Sequence, residues 1–340
     1  MKKISLFLTT LLLLFSMTSV VSAQNSDDEF LSKGPLYEKL GYSTEFIFNL
    51  EANPASQSTL LDGGKQKSRG LINSDIKKAI EFGFTEQEIM DFTETDWNYL
   101  EEKNADLVNV EEKYIAITSD GQAQEVNKEV ALKAIKDLEI KRLQHANETS
   151  TFAVDIGSDQ EQTSWMKVVT TVTKDTSQSP TAYYLKHSFE WLNEPFWNLQ
   201  DGIAISHPEY MSQIQNSEIF KYTYDYHTND FLQTYVGTNN VYKWTADNKG
   251  VNGMAFKYDL LSRYSNGPIE YIVKKNRGYM IFGTTKASSQ YTKGTAYGHY
   301  SHTEIAIAGS IGVKVSLNNL SISGATKVTK MTDTGVTFNF

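Results

Sequence analysis

The sequence predicts a mainly β protein: an antiparallel, sandwich-like C-terminal domain preceded by a small α-helical region. Three observations carry this. From about Ser164 apolar and polar residues alternate with a period of two, as in Phe220, Tyr222, Tyr224 and Tyr226 against Lys221, Thr223 and Asp225. Turn-forming clusters separate the alternating runs: Thr238-Asn239-Asn240, Asp247-Asn248-Lys249-Gly250 and Ser265-Asn266-Gly267-Pro268. Helical spacing and helix caps are confined to the front of the chain, so no crossover helices separate the strands.

Residues 1–23 have the form of a secretory signal peptide. Lys2 and Lys3 precede an apolar run from Ile4 to Phe15, and Val21-Ser22-Ala23 presents small residues for cleavage after Ala23. The apolar run is shorter than the roughly 20 residues a membrane-spanning helix needs. The expected product is therefore secreted, extracellular and without a transmembrane anchor. The chain has no cysteine, which excludes disulfides and fits bacterial export.

Charge divides the remainder. Residues 24–150 hold 25 acidic and 14 basic residues, whereas residues 151–340 hold 16 of each. An acidic front and a neutral back argue against nucleic acid as a partner, because its phosphates reward clustered Lys and Arg. Residues 24–70 read as a flexible acidic segment and linker, with 51–70 rich in Ser, Gln, Gly and Lys.

Residues 71–150 read as a small, mostly helical region. Ser74 is placed to cap a helix carrying Ile76, Ala79 and Ile80, which Gly83 ends. Thr85-Glu86-Gln87-Glu88 is a capping box. A short helix with Trp97 and Leu100 follows, then a strand over Lys113–Thr118 and a helix capped by Asn127. Residues 151–340 form the β-domain, with strands over 165–173, 182–192, 220–226, 241–245, 254–261, 269–275 and 279–283.

Three patterns bear on chemistry. Asn193-Glu194-Pro195 looks like the acid/base signature of barrel-fold retaining glycosidases, with Glu270 or Glu304 as a nominal nucleophile. That barrel needs eight parallel, apolar strands alternating with helices, and Lys186-His187-Ser188 in the preceding strand speaks against it. His299, His302 and Glu304 suggest a metal site. Successive side chains on a strand point to opposite faces, however, so only His302 and Glu304 share one. A zinc site needs a third ligand, to be found among His187, His207 and His227. No metal or cofactor is expected.

The third pattern is a run of apolar residues or Gly at every odd position from Ile305 to Leu317, after a Ser/Thr-rich stretch. A secreted β-pore-former inserts such a hairpin into a membrane. Two ordinary core strands joined at Gly309 or Gly312 give the same pattern.

Phe189-Glu190-Trp191-Leu192 with Pro195, and Gly298-His299-Tyr300-Ser301-His302-Thr303, resemble strands of an uncharacterised group of secreted proteins from Gram-positive bacteria. The resemblance covers residues 164–340. It implies an extracellular β-domain and carries no catalytic residue with it. The leading expectation is a non-catalytic binding protein acting at the cell wall or another surface. Its partner is an extracellular target such as cell-wall glycan or another protein, met by Trp191, Trp197, His299, His302 and Glu304. A pore-forming protein and a glycoside hydrolase using Glu194 are the alternatives.

Overall fold

A computed structural model of the chain describes residues 32–56, 72–148, 163–195, 197–230, 232–306 and 310–340. The expected signal peptide and most of the expected linker lie outside these residues. Among the described residues no helix is long and apolar enough to cross a membrane.

The helices come first. They are α1 (residues 32–39), α2 (Thr44–Ala52), α3 (Asn73–Glu81), α4 (Glu86–Met90), α5 (Glu94–Glu101) and, after two strands, α6 (Lys128–Glu148). Glu88 N donates to Thr85 Oγ1 while Thr85 N donates to Glu88 Oε2, so the capping box forms as its spacing predicts. Helix α3 starts one residue before the expected cap at Ser74, because Asp75 reaches back to accept from Ile72 N. The acidic segment read as flexible contains α1 and α2. Tyr37, Leu40, Tyr42, Ile47 and Leu50 are buried there, an apolar set that composition alone obscures.

The strands build two antiparallel sheets. A nine-stranded sheet runs β2 (Ala123–Val126), β1 (Asp106–Ile117), β3 (Ser164–Asp175), β4 (Ala182–Trp191), β12 (Ile269–Lys286), β7 (Ile219–Thr228), β8 (Tyr235–Lys243). Short strands β6 (Met211–Gln213) and β11 (Arg263–Asn266) flank the two ends of β12. A six-stranded sheet runs β16 (Ala325–Lys330), β13 (Lys293–Ala306), β5 (Gln200–Ser206), β10 (Gly253–Asp259), β9 (Asn248–Gly250), with β17 (Thr334–Asn339) also on β13. Strand β1 pairs along its length with β3, so the strand read into the helical region belongs to the same sheet as the β-domain.

The runs at 269–275 and 279–283 are one strand. A bulge falls where Lys275 adopts φ +53°, and Arg277 then resumes the register opposite Thr223.

Alternation sorts side chains onto four surfaces. Between the sheets, Met166, Leu185, Trp191, Phe220 and Tyr222 meet Ile203, Ile205, Phe256, Tyr300 and Phe338. On the other face of the nine-stranded sheet, Phe82, Phe84, Phe92 and Trp97 from the helical side pack on Val169, Tyr184, Tyr279 and Ile281. On the outer face of the six-stranded sheet rests a separate hairpin, β14 (Gly312–Ser316) and β15 (Asn319–Ser323). The molecule is thus a sandwich with a helical cover on one side and a hairpin cover on the other.

Candidate functional site

Most residues singled out in the sequence meet around one recess. Trp191, Trp197, His302 and Glu304 line it with Pro195, Ser164 and the Thr118–Gly121 turn; it is shallow, with about 10 Å³ of free space. Trp191 is buried and donates from Nε1 to the Tyr300 hydroxyl, while Trp197 is half exposed. His302 Nδ1 lies 3.0 Å from Asp201 Oδ1. Burial opposes its charged form, but the Asp201 carboxylate outweighs this and raises the His302 pKa. Glu304 accepts from Thr329 Oγ1 and pairs with Lys327.

His299 faces away from these groups, with Nε2 at 2.8 Å from Ser206 Oγ and Nδ1 at 2.8 Å from Asp333 Oδ1. Among the described residues no three His, Asp or Glu side chains form a metal-binding group.

Glu194 has a structural task. Its Oε1 accepts from Lys275 N (2.7 Å) and its Oε2 from Asn276 Nδ2 (2.8 Å). The carboxylate thereby holds the left-handed residue of the β12 bulge, which only a well-satisfied backbone sustains.

The helical cover is held by charge as well as by apolar contact. Lys186, Lys221 and Arg277 project from three adjacent strands toward the helices, and each finds a carboxylate there. Lys186 Nζ lies 2.7 Å from Glu88, Lys221 Nζ 2.8 Å from Asp96, and Arg277 grips both oxygens of Asp91. Tyr279 and Tyr242 also donate to Asp96. Burial lowers the pKa of Lys186 and Lys221, and the carboxylates counter it. Beside these pairs a small cleft with about 30 Å³ of free space, lined by Glu88, Lys167 and Glu190 among others, lies between cover and sheet. Burial raises the pKa of Glu190 there.

The hairpin cover is built differently. Gly202, Ala204 and Ser206 of β5 and Ala255 of β10 form a floor of small residues. A Cβ on Gly202 would stand 2.8 Å from Ile322 Cδ1 and 3.2 Å from Val313 Cγ1, so glycine is what lets the hairpin approach. Val315 and Leu320 are buried on this floor, and Val313 and Ile322 are partly buried. Lys314, Ser316, Ser321 and Ser323 point the other way, in register across the hairpin.

Strands β14 and β15 pair with each other and with neither large sheet. A few latches complete the seat. Lys257 Nζ donates to Ser310 Oγ and the Ile311 carbonyl, Ile311 N to Gln200 Oε1, Val315 N to Asn248 Oδ1, and Asn318 N to Ser206 Oγ. The sequence reading missed this floor. Its signal was present in Gly202-Ile203-Ala204-Ile205-Ser206, where bulky and tiny residues alternate.

No protein-family model matches the chain, and no curated protein is similar to it. Among solved structures, one described as a pore forming protein is matched over 70% of this chain and 95% of that one. The identity is 7% and the TM-score 0.22, a likeness that says nothing about fold or function.

Proposed function

We propose that this is a secreted protein that acts on membranes by inserting the β14–β15 hairpin, together with the strands that lead into it. One observation carries the reading: an amphipathic hairpin covers its apolar face against a sheet with which it shares no strand pairing.

The flanking sequence has the length and pattern a membrane strand requires. Extending the Val313↔Ile322 register outward gives two arms of twelve residues, Ile305–Ser316 and Asn319–Lys330. About 9–11 residues of tilted strand cross a bilayer. One face then carries Ile305, Ile307, Ile311, Val313 and Val315 with Leu320, Ile322 and Val328, interrupted by Gly309, Gly324 and Thr326 and ending in Lys330 opposite Ile305. The other carries Ser310, Lys314, Ser316, Ser321, Ser323, Lys327 and Thr329, the polar lining of a pore. In the folded protein β13 and β16 pair four residues out of this register, Thr303 with Val328. Outside the irregularity at Ile305, which pairs with Lys327, the shift is even, so sliding into the extended register keeps those side chains on their faces. A lone hairpin leaves two unpaired edges that hydrocarbon does not tolerate, so several copies must close a barrel.

The cysteine-free chain allows a direct test. Gly202→Cys with Val313→Cys, in an Ile322→Val background that removes the Cδ1 a Cβ at 202 would meet at 2.8 Å, ties the hairpin to its floor, because the Val313 Cγ1 position lies 3.2 Å from that Cβ. Dye-loaded vesicles should leak with the wild type at micromolar protein, stay sealed with the oxidised variant and leak again on reduction. A wild type that forms no oligomers and releases no dye overturns the proposal.

A second reading is favoured by Trp197, half exposed over the recess with His302 and Glu304 behind it. Non-catalytic binding of a surface glycan there predicts retention on purified cell walls that Trp197→Ala abolishes. Retention unchanged by that substitution rules the recess out as the binding site.

A further inference from the structure

One end of the nine-stranded sheet extends past the rest of the sandwich. Strand β4 pairs with β12 only over residues 277–285, so residues 269–276 run on with β7 and β11 for neighbours. The early part of β8 pairs with the end of β7. Together β11, β12, β7 and β8 make a four-stranded tongue closed by the β7–β8 and β11–β12 turns.

The surface of this tongue departs from an ordinary loop tip. Leu232 in the β7–β8 turn is 76% exposed, and Ile269, just after the Gly267-Pro268 turn, is 54% exposed. Tyr235 and Val236 at the start of β8 are exposed as well. Behind them Tyr226, Tyr264 and Tyr271 pack on one another with ring centroids 5.2–6.1 Å apart. Charges on the tongue balance: Arg263, Lys274 and Lys275 stand against Asp225, Asp230 and Glu270, with Arg263 paired to Glu270.

We infer that the tongue is a lipid-docking surface, with Leu232 and Ile269 entering the acyl boundary and the tyrosines lying at headgroup depth. Tyrosine is favoured at that depth because its ring is apolar and its hydroxyl wet. Sugar recognition fits less well, because stacking on a sugar uses open ring faces and these rings spend theirs on one another. The near-neutral charge selects a zwitterionic bilayer over an anionic one. The inference rests on the membrane reading above and assigns it a separate first step, docking before insertion.

Flotation of the full chain with phosphatidylcholine vesicles separates the two steps. The wild type and the oxidised Gly202→Cys/Val313→Cys/Ile322→Val variant should float alike, and only the wild type should release dye. Leu232→Asp with Ile269→Asp should cut the floated fraction at least ten-fold and dye release with it, with thermal unfolding unchanged because both sites are exposed. Flotation of that double variant at the wild-type level overturns the docking surface. So does a wild type that ignores vesicles but is retained on purified peptidoglycan. A wild type that floats without releasing dye leaves the docking surface standing and ends the pore reading.

Discussion

The two covers of the sandwich are attached by opposite physics. The helical cover brings Phe82, Phe84, Phe92 and Trp97 and three buried cation–carboxylate contacts to the nine-stranded sheet. The hairpin cover brings four aliphatic side chains and a handful of polar latches to a floor of Gly, Ala and Ser. Fully burying one aliphatic side chain is worth about 1.5–3 kcal/mol, so the hairpin's hold is small beside that of the helical side. Breaking a buried ion pair leaves a bare charge, which makes the helical cover costly to lift. The difference separates a cover anchored by buried charge pairs from a hairpin that shares no strand pairing with the sheet beneath it and is held there by aliphatic contacts and a few polar latches.

The largest expected effect lies under the helical cover. Lys221→Met removes the cation paired with buried Asp96, leaving it the Thr93 N–H and the hydroxyls of Thr93, Tyr242 and Tyr279, and should cost about 3–5 kcal/mol of global stability, read by denaturant unfolding. Leu320→Ala on the hairpin floor should instead leave the global midpoint nearly unchanged while speeding exchange of the β14–β15 amides. Equal global losses from the two substitutions would erase the contrast between the covers.

Acid tests the layer that both covers share. His187 is buried between the sheets against Thr170, and burial, helped by the nearby His299, pushes its pKa down to about 3. Below the ordinary value of 6.5 the unfolded chain takes up a proton that the folded chain refuses. Stability must therefore fall as the pH drops from 6.5 toward 3, by about 1.4 kcal/mol per unit from this group. His187→Gln should flatten that limb in unfolding curves measured between pH 6.5 and 4.5. His302 acts in the opposite sense. Its raised pKa stabilises below 6.5, and the contribution is lost as the pH climbs through the folded value.

Smaller effects sharpen the picture of the hairpin. Lys257→Met removes the latch on Ser310 and Ile311 and should raise hairpin opening by several-fold, in line with about 0.5–1.5 kcal/mol per hydrogen bond. Trp197→Ala should change folding stability by less than about 0.5 kcal/mol, because the ring is half in solvent. A larger loss would make Trp197 part of the fold and not of a surface.

Local signals in the sequence reached as far as local physics does. The Thr85–Glu88 box, the Gly83 stop with φ +84° and the alternation of Phe220 to Tyr226 depend on neighbours a few residues away, and all appear where the pattern puts them. Alternation reveals two faces without saying which is wet. Lys186, Lys221 and Arg277 look like solvent-facing positions, yet their carboxylates come from helices about 100 or more residues earlier. The hairpin was legible as a period-two run, whereas its separate seat was not, because the Gly202 floor lies far from it in the chain. Glu194 shows the reverse failure: a tripeptide that reads as chemistry serves a backbone bulge.

Native-state hydrogen exchange, followed by peptide mass spectrometry at low denaturant, distinguishes a hairpin that opens alone from one that unfolds with the sandwich. The account predicts that amides of residues 312–323 exchange through a local opening well below the global free energy, while those of α3–α5 and the nine-stranded sheet exchange only with global unfolding. Exchange of the α3–α5 amides ahead of the hairpin would contradict it and make the helical cover the part that leaves.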